Sequence, residues 1–243
     1  MQQINQLLFF ICTVSCSLQG AAYHQFENSV EAAFQEKLEK SKGKFKERSL
    51  MITGCARSGT TFITKFLKLN QLNVGHERDG LFGVVSWTMA GDAFNTPWGP
   101  GANLYRFQHI FHQVRHPLKT IASAGNEPLA SWKYIMTFVP EINLNDPKIV
   151  KGAKYWYYWN LLAEEKAEWT YRIEDIENQI DEMAARLEIQ LDPLILEEIP
   201  TNTNTRRYLD VYTWDDLRDA VDEDLFYNIV EMANRYGYDI SDL

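Results

Sequence analysis

Basic residues are in the minority, with 24 Lys and Arg against 33 Asp and Glu and a formal net charge of −9. A chain this acidic is a poor general binder of nucleic acid or heparin, which need a basic surface, although a local cationic pocket could still hold one small anion. Cysteine is scarce: Cys12 and Cys16 lie near the N-terminus and Cys55 in the body. There is no CxxC pair and no His/Cys spacing of a zinc site, and a single body cysteine cannot close an intrachain disulfide. Stability therefore does not depend on oxidation. Long apolar runs are also missing. The stretch from Leu7 to Leu18 is about a dozen residues with interruptions, short of the roughly 18–20 needed to span a bilayer as a helix. Internal repeats and low-complexity linkers are absent.

What is present is a packed, aromatic-rich chain. Of 243 residues, 45% are hydrophobic and 13% aromatic, including seven Trp, which excludes a solvated disordered chain. Residues 1–22 carry no charge and end in Gly20-Ala21-Ala22, the small residues that precede a signal-peptidase cut. Met1–Gln6 lacks the usual Lys or Arg, so this leader reads either as a secretory signal or as a loosely packed tail. Residues 23–48 form a charged stem in which Val30, Phe34 and Leu38 repeat every four positions, a helical period. Residues 49–243 are expected to be one domain.

Within that domain short apolar runs alternate with helical patterns. Ser49–Thr53, Gln108–Val114 and Trp169–Ile173 read as buried strands, and Thr60–Leu69, Lys151–Trp169, Ile176–Leu187 and Leu225–Tyr236 as helices. Pro117 marks a helix start and Gly237 a helix end. Such alternation predicts an α/β fold with a mainly parallel central sheet covered by helices on both faces, of the P-loop nucleotide-binding type. Residues 78–107 are broken by seven Gly and Pro and read as a lid or binding loop, with room for one short helix around Val84–Ala90. The ring-rich run Tyr155–Trp159 points all round its helix and is expected mostly in the core. Trp87 and Trp98, in the irregular stretch, are better candidates for contact with a substrate.

Gly54-Cys55-Ala56-Arg57-Ser58-Gly59-Thr60-Thr61 sits between an apolar strand and a helix, where a Gly-rich turn presents N–H groups and a helix N-terminus to an anion. Gly54 and Gly59 have the Walker A spacing, but Thr60 stands where that motif requires Lys. Ordinary ATP or GTP hydrolysis is disfavoured, and Arg57 supplies a cation inside the loop instead. A second anion-binding pattern follows. Arg115 ends a strand and Ser123 lies eight positions later, two turns into the next helix, so that both can converge on one phosphate.

The loop Gly54–Phe62 resembles the 5′-phosphosulfate loop of sulfotransferases that use 3′-phosphoadenosine-5′-phosphosulfate (PAPS), and Arg115 with Ser123 resembles that family's 3′-phosphate element. The likeness runs from about Ser49 to the C-terminus and takes in Trp169–Ile173 with the following Glu174-Asp175. It implies transfer of a sulfuryl group to a hydroxyl, or less readily an amine, of a small-molecule, carbohydrate or peptide acceptor, with no metal. Arg57, Ser58, Gly59, Thr60 and Thr61 would hold the phosphosulfate. Relatives carry Lys or Arg at the position of Arg57; an arginine holds its proton firmly, so Arg57 suits an electrostatic clamp better than an acid. The resemblance places a base near Glu77, 20 residues after Arg57, with adjacent His76 as the alternative or as a structural hydrogen-bond partner. Phe62 falls where relatives stack an aromatic on adenine, and it also lies on its helix's apolar stripe. Arg206 and Arg207 resemble the family's C-terminal basic segment, though its full Arg-Lys-Gly triplet is absent; pairing with Asp210 or Asp215 is the plainer reading.

His109, His112 and His116 lack the common strand parity a metal site would need. Two rival functions remain open, a small-molecule kinase with a degenerate loop and a non-catalytic nucleotide-binding module. The kinase reading lacks both the loop Lys and an Asp at the end of the 108–114 strand. A genuine leader would place a PAPS-dependent enzyme in a Golgi-type lumen; otherwise it would be cytoplasmic.

Overall fold

A computed structural model of the chain describes residues 45–200 and 210–240. Its centre is a five-stranded sheet in the order β2-β3-β1-β6-β7, with β1 at Lys46–Gly54, β2 at Val74–His76, β3 at Gly83–Val85, β6 at Tyr105–Val114 and β7 at Trp169–Arg172. Every neighbouring pair in it is parallel. A small antiparallel hairpin, β4 (Asn95–Thr96) and β5 (Gly99–Pro100), stands apart from it. The helices are α1 (Thr60–Leu69), α2 (Pro117–Ala124), α3 (Leu129–Met136), α4 (Lys148–Glu164), α5 (Ile176–Leu187), α6 (Trp214–Ala220) and α7 (Glu223–Arg235).

Both sheet faces are covered, which is why β1 reads as a continuous apolar run rather than an alternating one. On one face Leu50 and Ile52 meet Ile63, Phe66 and Leu67 of α1 and Ile176, Ile180 and Met183 of α5. On the other, Tyr155, Trp156 and Trp159 of α4 pack with Ile121 of α2 and with Ile229 and Met232 of α7. Those three rings of the aromatic run are buried, whereas Tyr157 and Tyr158 lie partly exposed at the edge of the same cluster.

The elements shift from the sequence expectation in three places. Strand β1 begins at Lys46, inside the segment expected to be a helical stem, because Lys46, Glu47 and Arg48 find ladder partners in Tyr105, Arg106 and Phe107. Asp79 then receives hydrogen bonds from Lys46 at 2.8 Å and Arg48 at 3.0 Å, tying that strand end to the β2–β3 loop. The rest of the stem and the whole leader lie outside the described residues. The short helix expected over 84–90 is instead β3 followed by a 3₁₀ turn at Trp87–Ala90, started by Ser86, whose hydroxyl accepts from the Thr88 N–H. β-branched Val84 and Val85 suit the strand, where they pair with β1. Finally, α4 starts at Lys148 after Pro147 and ends at Glu164, because Trp169 is already paired with Phe111 in the sheet. Among the described residues, no helix is long and apolar enough to cross a membrane.

Candidate functional site

In a parallel sheet all strands end at one edge, and ligands of α/β proteins bind there. That edge collects the loop after β1, Glu77 after β2, Arg115 after β6 and Glu174 after β7. A surface cavity of about 350 Å³ bounded by Arg48, Leu81 and Arg106 opens at the opposite edge and includes none of these residues.

The loop is held from beneath by polar side chains that the sequence reading did not single out. Gln113, the penultimate residue of β6, donates to the Ser58 carbonyl at 2.7 Å, and its own oxygen accepts from the buried Tyr171 hydroxyl at 2.7 Å. The Ala56 N–H donates to the Tyr155 hydroxyl at 2.6 Å. A Cβ on Gly54 would strike the Gln113 carbonyl, so this first loop position is closed to other residues. Gly59 takes φ 97° at the cap of α1, a left-handed conformation that glycine adopts freely. The Gly59 and Thr60 N–H groups form no hydrogen bond among the described residues, as expected of the open first turn of a helix. Cys55 is buried, which drives its thiol well above the usual range and leaves it inert.

Two guanidinium groups meet on this loop. Arg115 Nη1 donates to the Arg57 carbonyl at 2.9 Å, and Arg57 Nε donates to the Ser123 hydroxyl at 2.9 Å. Arg57 and Ser123, expected on opposite ends of one nucleotide, are thus in direct contact. Glu127, four residues past Ser123, brings a carboxylate oxygen 4.0 Å from Arg57 Nε, with side-chain exposures of 14% for Arg57 and 11% for Glu127. Ser131 donates to the other Glu127 oxygen at 3.2 Å. Nothing in the local sequence marks Glu127 as part of a site; only the turn between α2 and α3 carries it there.

His76 and Glu77 diverge as neighbours at a strand end should. His76 Nε2 lies 3.2 Å from the Thr60 hydroxyl and 3.3 Å from that of Thr61. Burial, with Lys68 and Arg78 nearby, lowers its pKa and keeps the ring neutral, so it serves to orient the loop hydroxyls. Glu77 takes φ 54° and accepts from the Trp87 indole N–H at 3.0 Å. Partial burial raises its carboxyl above the ordinary range, against the opposing pull of Trp87 and Arg57. Four non-glycine residues among those described have positive φ. Gln71 and Glu188 lie at helix ends, which leaves Arg57 and Glu77, both at the site, where backbone strain tends to collect.

Other candidates fall elsewhere. Phe62 is partly buried against the α1–α5 cluster, the packing role that its stripe position allowed. His109 pairs with Glu168 at 2.8 Å. His112 is buried between Asn160 at 3.0 Å and Thr170 at 3.3 Å. The His116 ring packs on Tyr238, and the main-chain N–H of His116 donates to Glu174 at 2.9 Å. Among the described residues, no group of three or more His, Cys, Asp or Glu is arranged to hold a metal ion. Arg206 and Arg207 lie outside the described residues.

This edge gathers donors of the kind that hold an anion: open N–H groups on a loop that accepts only glycine at its start, two guanidiniums and a hydroxyl. Comparison with known proteins returned no match to this chain from family models, curated proteins or solved structures.

Proposed function

We propose that the protein is a PAPS-dependent sulfotransferase acting on a hydroxyl acceptor. The observation that carries this reading is the meeting of Arg115, Arg57 and Ser123, drawn from separate elements onto one Gly-rich loop. A loop with Arg57 inside it and Thr60 at the Walker A lysine position, and a β6 followed by Arg115 rather than an acid, fits a phosphosulfate donor better than a magnesium nucleotide.

In the proposed reaction an acceptor oxygen lone pair forms a new O–S bond while the bond from sulfur to the 5′-phosphate oxygen breaks. The electron pair leaves on that phosphate, and the acceptor proton passes to Glu77. The products are a sulfate ester and 3′-phosphoadenosine-5′-phosphate. Arg57 and the N–H groups of Gly59 and Thr60 face the charge gathering on the leaving phosphate, the type of preorganised stabilisation that contributes most to such transfers. Arg115 and Ser123 orient the 3′-phosphate, and His76 fixes the Thr60 and Thr61 hydroxyls. For Ser123 to serve the donor, Arg57 must exchange its bond to that hydroxyl for one to the phosphosulfate.

The test is calorimetric titration without magnesium, followed by transfer of labelled sulfate. 3′-Phosphoadenosine-5′-phosphate should bind at least tenfold tighter than ADP or ATP. The reverse order would favour the kinase, and tight binding with no turnover on any acceptor would favour a nucleotide-binding module.

A further inference from the structure

The acceptor side of Glu77 is built of rings. Trp87, whose indole N–H holds the Glu77 carboxylate, lies 5.2 Å edge-on from Trp98, and Tyr134 of α3 closes the group at 5.7 Å from Trp87 and 6.2 Å from Trp98. Trp87 and Tyr134 are buried, and Tyr134 is pinned through its hydroxyl to the Thr88 carbonyl at 2.8 Å. Trp98 differs: it sits at the tip of the β4–β5 hairpin and keeps 38% of its surface exposed. The hairpin is braced, since Thr96 donates to the Gly99 carbonyl at 3.1 Å and accepts from the Trp98 N–H at 3.2 Å. It also leans on the site, because a Cβ on Gly99 would lie 3.7 Å from the Glu77 carbonyl.

Resting on the sulfotransferase reading, we propose that Trp98 is the acceptor platform and that the acceptor is an uncharged sugar ring of a glycan. A saturated ring offers a C–H face to an open, rigid indole and hydroxyls to the carboxylate beyond it. A phenol is better served by an enclosed apolar slot than by one ring on an open hairpin tip. The Glu77 carboxylate, held beside these rings by Trp87, disfavours an acceptor that carries sulfate or carboxylate groups next to the reacting hydroxyl.

The experiment uses the full chain with 3′-phosphoadenosine-5′-phosphate bound, and four neutral disaccharides as probes: lactose, N-acetyllactosamine, chitobiose and maltose. Saturation-transfer NMR should detect binding of at least one, with 4-nitrophenol, a tyrosine peptide and a heparin disaccharide as comparators. With the donor, Trp98→Ala should raise KM for that sugar at least tenfold with kcat within threefold, and Trp98→Phe should restore most of the loss. Affinity for 3′-phosphoadenosine-5′-phosphate should stay within twofold in both variants. An unchanged KM in Trp98→Ala would overturn the proposal, as would preference for the phenol, peptide or heparin fragment. Absence of 3′-phosphoadenosine-5′-phosphate binding to the unaltered protein would instead defeat the sulfotransferase reading itself.

Discussion

Arg115 donates from Nη1 to the main-chain carbonyl of Arg57 at 2.9 Å across 58 positions of sequence. The bond fixes the backbone of the loop that carries Arg57 and leaves the remaining N–H groups of Arg115 beside it. Removing the Arg115 side chain therefore affects both the anion it would contact and the loop it steadies. Arg115→Ala should weaken 3′-phosphoadenosine-5′-phosphate binding by about 10- to 100-fold, as expected when a charge-assisted hydrogen bond of about 1.5–3 kcal/mol is lost. Ser123→Ala should cost less, since it removes one neutral acceptor from Arg57. Titration calorimetry on both variants checks the order.

Glu77 must be ionised to accept a proton, and burial raises its carboxyl above the ordinary carboxylate range. Turnover should rise with pH along a limb that lies above the ordinary carboxylate range. Trp87→Phe removes a hydrogen bond that favours the ionised form, so this limb should move to still higher pH. Glu77→Gln should abolish transfer and leave nucleotide binding within about threefold. A pH–rate profile with labelled donor measures all three; turnover that persists in Glu77→Gln would exclude this residue as the base.

Gln113 satisfies two buried groups at once, the Ser58 carbonyl and the Tyr171 hydroxyl. Gln113→Leu would leave both without this partner, at roughly 1–3 kcal/mol for each orphaned group. Tyr171→Phe removes only one donor and should cost about 0.5–1.5 kcal/mol. Urea unfolding should rank them in that order. Nucleotide affinity should fall in Gln113→Leu and hold in Tyr171→Phe, because only the former releases the loop.

His112 is buried and neutral, its Nε2–H donating to the Asn160 oxygen while Nδ1 accepts from Thr170. Burial carries its pKa from 6.5 down to about 4, against the upward pull of the Asn160 bond. The unfolded chain protonates first, so this contribution is complete above about pH 6.5 and is lost as pH falls toward 4. The loss is on the order of 3 kcal/mol by linkage. Melting temperature against pH should fall steeply over that window, and His112→Asn should flatten the curve.

Much of this architecture is legible without coordinates because it follows from local pattern. Ile176–Leu187 has the same bounds in sequence and structure, since one apolar stripe defines it. Pro117 opens α2, where its fixed φ suits the helix and its missing N–H has no partner to lose, and Gly237, at φ 78°, follows the end of α7 in a conformation other residues adopt poorly. The strand start at Lys46 was hidden, since nothing in Lys46-Glu47-Arg48 is apolar; partners 59 positions away in the ladder make it a strand. His76 and Glu77 show the same limit. Their adjacency marked a polar strand end, but only their separate contacts with Thr60 and Trp87 assign one to the loop and the other to the open side.

The chain by itself determined the loop: Gly54, Arg57, Gly59 and the two threonines define a strand–turn–helix that suits an anion, because glycine geometry and helix ends are local properties. Tertiary structure alone decided what surrounds it. The approach of Glu127 to Arg57, the Gln113–Tyr171 brace and the Trp98–Trp87–Glu77 succession all join residues from separate elements. Sequence spacing carries no information about such meetings, which depend on how helices and loops pack across one edge of the sheet.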